Sequence, residues 1–529
     1  MLTAHSFQIK LYTMWSATTV VVGVALLCIA GTEATKHFYT AAVFESNRFG
    51  SRSDPPDVVI DTNLRLYSRA AEIAKAKGAD VIVFSEYGII PPGSRQQLKP
   101  FLETVPDPTK IRTNPCEQSE IYSQRPILHR LSCIAKNSSM VVVGNLGDIQ
   151  NCTGQSECPP DGVFHYNTNA VFDRNGELLV RYHKEHLFFE RGMDIPTEKQ
   201  TPVFSTDFGT FATFVCFDSM FSRMSEVARW GEIEGVMFPT MWVDAPPQLV
   251  SVQYWQAWAL GNGVTLLAAN GQKPSESAVG SGVFHGQEGA LAYTFNPDGI
   301  SKLVVSTVPK KGACGVPIKS SITAITDTKT WEFKDDGKDV PQTCSNKFVP
   351  ETPDAYKCQK EKMVTYTAVQ LTKSEGFVEV CNNGMCCSLN YTTDGLKDET
   401  FYLGVFNGTY SAFNTYFWWE ENCVLTRCDT QGTAACSTFP LRSQTVFRSV
   451  QLKANFTTDF VFPSVMSSGV RLVPRSEWQH SRLGAEVLID FKSSSGQQLT
   501  SLGLKGRCFD KDPPYKRQKA ETTFEETSE

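Results

Sequence analysis

The feature that most constrains this 529-residue chain is a unit recurring through its first three hundred residues, a stretch of helical period running into a short strand that is apolar at every position. Residues 63–77 place Leu64, Tyr67, Ala71 and Ala74 on one helix face, Gly78 is suited to end the helix, and Val81-Ile82-Val83-Phe84 follows. The unit returns at 126–137 with 140–144, and at 252–260 with 264–269. Strands apolar on both faces need cover on both, so these units specify sheets with helices lying against them. Hairpin signals stand between the units: 167–172 and 177–182 meet through Asp173-Arg174-Asn175-Gly176, and 203–205 and 211–217 through Asp207-Phe208-Gly209. The mixture predicts an α/β layered sandwich rather than a purely parallel fold, spanning residues 36–310.

Beyond that point the character changes. Residues 311–353, with Lys310-Lys311-Gly312, a charged run from Lys334 to Asp339 and several prolines, read as an exposed connector. From 354 to 510 the segments 363–371, 377–381, 385–391, 401–406 and 446–452 read as strands among eight cysteines, which predicts a smaller disulfide-bearing β-rich domain. A charged tail, 511–529, closes the chain.

Processing signals are concentrated at the start. Lys10 precedes an apolar run over 17–30, then Gly31, Thr32 and Ala34, which reads as a secretory signal over 1–34 cleaved near Gly31 to Thr35. The run is shorter than the ~20 residues a membrane-spanning helix needs. Five Asn-x-Ser/Thr sites at Asn137, Asn151, Asn390, Asn407 and Asn455 agree with export as glycosylation acceptors. The charged C-terminus offers no apolar tail for a glycolipid anchor, so a secreted protein without a membrane anchor is expected. With 50 Lys and Arg against 56 Asp and Glu and no long basic run, nucleic acid is a poor partner. Loss of Cys28 with the signal leaves an odd number of the 16 cysteines, which implies an unpaired thiol, an intermolecular disulfide or several buried thiols.

Three segments place a reactive group at a strand end. Val81 to Phe84 delivers Glu86, where an apolar wall would raise a carboxyl pKa into the range of a general base; alone, this segment reads as a solvated glutamate. The hairpin strand ends in Lys184, within Tyr182-His183-Lys184-Glu185-His186-Leu187-Phe188-Phe189-Glu190. That ammonium is suited to hold an oxyanion, although the segment taken alone reads as ordinary surface charge. Phe211 to Phe217 reads as a buried strand delivering Cys216 and then Asp218. A buried cysteine is commonly a small hydrophobe, but a thiol near a lysine and a glutamate would have its pKa lowered and be activated. No G-x-S-x-G, His-Glu-x-x-His, phosphate loop or C-x-x-C occurs, so rival nucleophiles and a metal site lack support.

In the order Glu86, Lys184, Cys216 the chain resembles the Glu-Lys-Cys triad of the nitrilase superfamily, and His183 to Phe188 match the segment around its lysine. The resemblance narrows to the biotinidase and vanin (pantetheinase) branch through Asn114-Pro115-Cys116, Leu131-Ser132-Cys133, Asn145-Leu146-Gly147, Asn167-Thr168-Asn169, Cys216-Phe217-Asp218, Pro239-Thr240-Met241-Trp242 and the Cys381 to Cys387 segment. It implies an α-β-β-α sandwich with a β-rich vanin-type domain behind it, and hydrolysis of a linear secondary amide through a cysteine thioester. Glu86 would be the base and acid, Lys184 the oxyanion stabiliser and Cys216 the nucleophile, with no metal or organic cofactor. Glu190 would position the substrate or the lysine, with Tyr87 and Trp242 as further substrate-positioning residues and Phe188 and Trp255 as candidate pocket walls. Pantetheine is the leading small-molecule substrate, biocytin the alternative, and an inactive secreted binding protein the alternative of another class. Cys216 is expected to be the unpaired thiol, with the other fourteen mature cysteines able to pair.

Overall fold

The computed structural model describes residues 37–313, 315–344, 356–431 and 434–515. Both the signal segment and Cys314 lie outside these residues.

The three helix-then-strand units form as read, with shifted ends. Helix α1 (Pro56–Ala76) starts on a proline, whose missing N–H costs nothing in the first turn, and runs out at Lys77 ahead of Gly78 in the left-handed region. Strand β1 (Phe38–Glu45) precedes it, and β2 (Val81–Phe84) lies parallel to β1. Helix α2 (Pro126–Ser138) leads to β3 (Val141–Asn151), which continues past its apolar start into the hairpin of β4 (Val163–Phe172) and β5 (Leu178–His183). With β12 (Ser301–Pro309), β13 (Ser320–Ile325) and β14 (Thr330–Glu332) they form one eight-stranded sheet in the order β14-β13-β12-β1-β2-β3-β4-β5. The segment read as an exposed connector thus contributes two strands: Ser320–Ile325 pairs along the edge of β12, burying Thr323, Ala324 and Ile325. Charged flanks and prolines had obscured a short apolar stretch.

A second sheet holds β6 (Val203–Thr206), β7 (Gly209–Thr213), β8 (Ile233–Pro239), β9 (Thr265–Ala269), β10 (Ser281–His285) and β11 (Gly289–Thr294), in the order β11-β10-β9-β8-β7-β6. Alternation along the central strands builds the layers. Val43, Val81, Val83, Val141 and Val143 point into the space between the sheets, where they meet Phe211, Val236, Phe238 and Leu266. The intervening Ala42, Phe44, Ile82, Phe84 and Val142 pack under α1 and α2 against Leu64, Tyr67, Ile127 and Leu131. Helices α3 (Ser222–Ala228) and α4 (Ser251–Asn262) accompany the second sheet, completing an α-β-β-α sandwich.

Helix α4 is buried on nearly every side because it lies between the second sheet and a further β region. A Cβ at Gly261 would stand 2.5 Å from the Val461 carbonyl oxygen and from the Phe462 ring, so glycine sets this close approach. The β region pairs a six-stranded sheet, centred on Phe401–Ala412, Tyr416–Arg427 and Leu499–Arg507, with a five-stranded sheet centred on Met385–Thr393 and Phe447–Asn455. The strands expected over 377–381, 385–391, 401–406 and 446–452 are present and longer, whereas 363–371 splits into a turn and a four-residue strand.

The described residues contain six disulfides: Cys116–Cys133, Cys152–Cys158, Cys344–Cys358, Cys381–Cys386, Cys387–Cys423 and Cys428–Cys436. Cys216 is unpaired, but so is Cys508, which corrects the expectation that all other cysteines pair. Cys508 is enclosed with Thr457 and Glu421 as neighbours. No helix among the described residues is long and apolar enough to cross a membrane.

Candidate active site

The parallel strands of the two sheets deliver the polar residues to one end of the sandwich. Glu86 follows β2 and Lys184 follows β5, and each is at most 2 % exposed. Lys184 Nζ donates to Glu86 Oε1 at 2.8 Å and also to Glu190 Oε1. Asn167, on β4, donates through Nδ2 to Glu86 Oε1 and Glu190 Oε2, at 2.7 Å each. The Met241 backbone N–H donates to Glu86 Oε2 at 2.8 Å, so both oxygens of this carboxylate are held.

Cys216 stands where β7 has already ended. The strand expected to reach Phe217 stops at Thr213, and Cys216 opens the 3-10 turn Cys216–Met220 with φ at +44°. A side chain in the left-handed region is strained by roughly 1–3 kcal/mol and persists only where neighbours fix it. Here Asp218 accepts hydrogen bonds from the Val215 N–H at 3.1 Å, the Tyr182 hydroxyl at 3.0 Å and the His186 N–H at 3.0 Å. The strained turn lifts the sulfur out of the strand ladder toward Glu86 and Lys184, both of which act on it electrostatically.

Burial governs the protonation of this cluster. It raises the Glu86 carboxyl above the usual carboxylate range, with Lys184 opposing and Glu190 adding to the rise. Burial works against the Lys184 ammonium, yet Glu190 and Glu86 together hold its pKa well above that of an ordinary lysine. The Cys216 thiol is pushed well up, first by burial and then by Glu86, and Lys184 only partly offsets this. The expectation of a lowered thiol pKa is therefore corrected: exclusion of water and a facing carboxylate outweigh one lysine already shared between two glutamates. The resting thiol keeps its proton, with the Glu86 carboxyl acting on it electrostatically.

A cavity of about 180 Å³ opens over Cys216, lined by Phe188, Met220, Met241 and Trp242 from the sandwich and by Tyr410, Phe413 and Trp418 from the β region. Phe188 and Trp242 thus stand where the sequence suggested, Trp242 being fixed by its Nε1–H bond to the Leu249 carbonyl at 2.9 Å. Tyr87 and Trp255 do not line it. The Tyr87 hydroxyl donates to Glu190 Oε2 at 2.7 Å, and Trp255 is a core residue packed against Phe238 and Trp242. Glu190 receives Lys184, Phe188 N–H, Asn167 and Tyr87, which places it under the lysine rather than toward a substrate. The role of Asn167 was not foreseen; the signal was an asparagine recurring at 145, 167 and 169 on two paired strands, where Asn145 Nδ2 donates to Oδ1 of both Asn167 and Asn169. Among the described residues no group of three or more His, Cys, Asp or Glu is placed to hold a metal.

Residues 55–267 match the family model for carbon-nitrogen hydrolases, and residues 355–512 that for the vanin C-terminal domain. The chain is 34% identical to pantetheinase of Mus musculus, over 86% of this chain and 84% of that protein. It is 32% identical to pantetheinase of Homo sapiens and 31% identical to biotinidase of Homo sapiens, each over 90% of both chains. Among solved structures, an amidase from Nesterenkonia sp. aligns with 23% identity and a TM-score of 0.36, over 53% of this chain and 94% of that one. The chain belongs to the nitrilase superfamily of carbon–nitrogen hydrolases, in the branch that contains the pantetheinases and biotinidases. It is a hydrolase of amide carbon–nitrogen bonds.

Proposed function

We propose that the protein is a secreted amidase that cleaves pantetheine to pantothenate and cysteamine, with Cys216 as nucleophile, Glu86 as base and acid, and Lys184 as oxyanion stabiliser. The observation that carries this reading is the Lys184–Glu86 pair, closed off from water beside an unpaired cysteine at the base of an apolar cavity. Because the resting thiol is protonated, attack is coupled to proton transfer: Glu86 takes the thiol proton as sulfur bonds to the amide carbon, and the carbonyl oxygen gains negative charge beside Lys184. Collapse of the adduct breaks the C–N bond, Glu86 returns the proton to the departing amine, and a thioester remains. Water, deprotonated by Glu86, then attacks the thioester and releases the acid and the thiol. Glu190 and Asn167 act through Lys184 and Glu86, holding both in register.

Export is supported by the signal-like N-terminus and the six disulfides, which suit an oxidising compartment. Asn137, Asn151, Asn390 and Asn455 are exposed and suited to carry glycans. Asn407 is less so, since its amide bonds to the Asn383 carbonyl and receives the Trp419 indole N–H.

Biocytin is the second reading, favoured by the 31% identity to a biotinidase. Assay of the purified protein on both amides, with Cys216→Ala as blank, decides between them. Release of biotin with the higher kcat/KM would reverse the order, and turnover of neither would leave a binding protein.

A further inference from the structure

We infer that Arg507, in the C-terminal β region, is a positioning residue for the nucleophile, so that this region completes the catalytic turn. The inference rests on the reading of Cys216 given above. Arg507 ends the strand Leu499–Arg507 and is fully buried. Its Nη2 and Nε donate to the Met220 carbonyl at 2.7 and 3.3 Å, across 287 positions of sequence. Met220 closes the same 3-10 turn that Cys216 opens.

That turn is held at its start from within the sandwich, by Asp218 acting on Val215, Tyr182 and His186. At its far end the Tyr254 hydroxyl donates to the Ser219 carbonyl at 3.1 Å, and Arg507 takes the last carbonyl, which a turn leaves without an internal partner. A buried guanidinium needs a counter-charge, and the Asp512 carboxylate supplies it at 2.7 and 3.2 Å while also accepting the Trp419 N–H at 2.7 Å. The remaining donor of Arg507 reaches the Trp419 carbonyl. The planar fork is thus fixed on one side by its own sheet and presents the other side to the nucleophile turn, an arrangement a single-point ammonium cannot reproduce. Without it the strained Cys216 turn loses its hydrogen bonds to the β region and keeps from there only the ring contacts of Phe217 with Tyr416 and Trp418, and the sulfur relaxes away from Glu86.

Arg507→Met, Arg507→Lys and Asp512→Asn, made in the full chain, test this by pantetheine turnover and by the rate of iodoacetamide alkylation of Cys216 in the folded protein. Misplacement of the sulfur predicts a fall in kcat of roughly 10- to 100-fold for Arg507→Met, with KM little changed and alkylation slowed in parallel. Arg507→Lys should recover part of both rates, and Asp512→Asn should fall between wild type and Arg507→Met. A folded Arg507→Met whose kcat and alkylation rate match wild type overturns the inference, as does a change confined to KM. Should Arg507→Met fail to fold, the lysine and asparagine variants decide on the same two rates. If wild type hydrolyses neither pantetheine nor biocytin yet alkylation still slows in the variants, the substrate reading fails and the role of Arg507 stands.

Discussion

Lys184 Nζ lies 2.8 Å from Glu86 Oε1, joining residues that are 98 positions apart in a site closed to water. The second carboxylate beneath that lysine, Glu190, keeps the ammonium charged against its burial. Burial first, and then Glu190, leaves Glu86 with a pKa above the usual carboxylate range.

Glu86→Gln preserves the shape of the site and removes the carboxylate proposed as its base. Turnover is expected to drop roughly 10²- to 10⁴-fold with KM little altered. After burial, Glu86 is the next cause holding the Cys216 thiol protonated, so its loss should lower the thiol pKa and move the pH dependence of Cys216 alkylation to lower pH. Steady-state kinetics alongside alkylation rates check both, and a variant with wild-type kcat would sink the assignment of Glu86.

Cysteine chemistry offers a test independent of substrate. Peptide mapping without reduction should find the six disulfides intact, with Cys216 labelled in the folded protein through the cavity it lines and Cys508 labelled only after unfolding. Recovery of Cys216 in a disulfide-linked peptide would rule it out as the proposed nucleophile.

Tyr416→Phe tests a second link between the sandwich and the β region. Its hydroxyl oxygen accepts the backbone N–H of Phe189 at 2.7 Å, and Phe189 has φ at +52°, in the loop between Lys184 and Glu190. Removing a part-buried acceptor should cost about 1–3 kcal/mol. Urea denaturation of the two proteins measures this, and unchanged stability would show the hydroxyl to be replaceable there.

His480 gives the protein a pH dependence unconnected with catalysis. Burial, with Arg475 beside it, brings its pKa from 6.5 down to about 4. Between those values the unfolded chain binds the proton that the folded chain refuses, so this residue's contribution is complete above pH 6.5 and is lost as pH falls toward 4. Melting temperatures recorded across that interval should decline less steeply for His480→Gln than for wild type. Parallel curves would exclude the histidine as a source of the slope.

Much of this was legible in the chain because it is local. Four consecutive apolar residues at 81–84 specify a strand covered on both faces, and the Asn-Gly turn at Asn175 registers the hairpin that ends beside Lys184. The triad residues and the unpaired Cys216 could be picked out from residue type and motif resemblance. The rest depends on contacts between distant segments, which no local pattern encodes. Only the folded sheets set Asn167 between two glutamates, turn Tyr87 onto Glu190 rather than into the cavity, and carry Arg507 to the Met220 carbonyl. The protonation of Cys216 was misjudged for the same reason. Sequence supplied the charges around the sulfur, but tertiary burial set the dielectric in which they act, and there desolvation outweighs the neighbouring lysine.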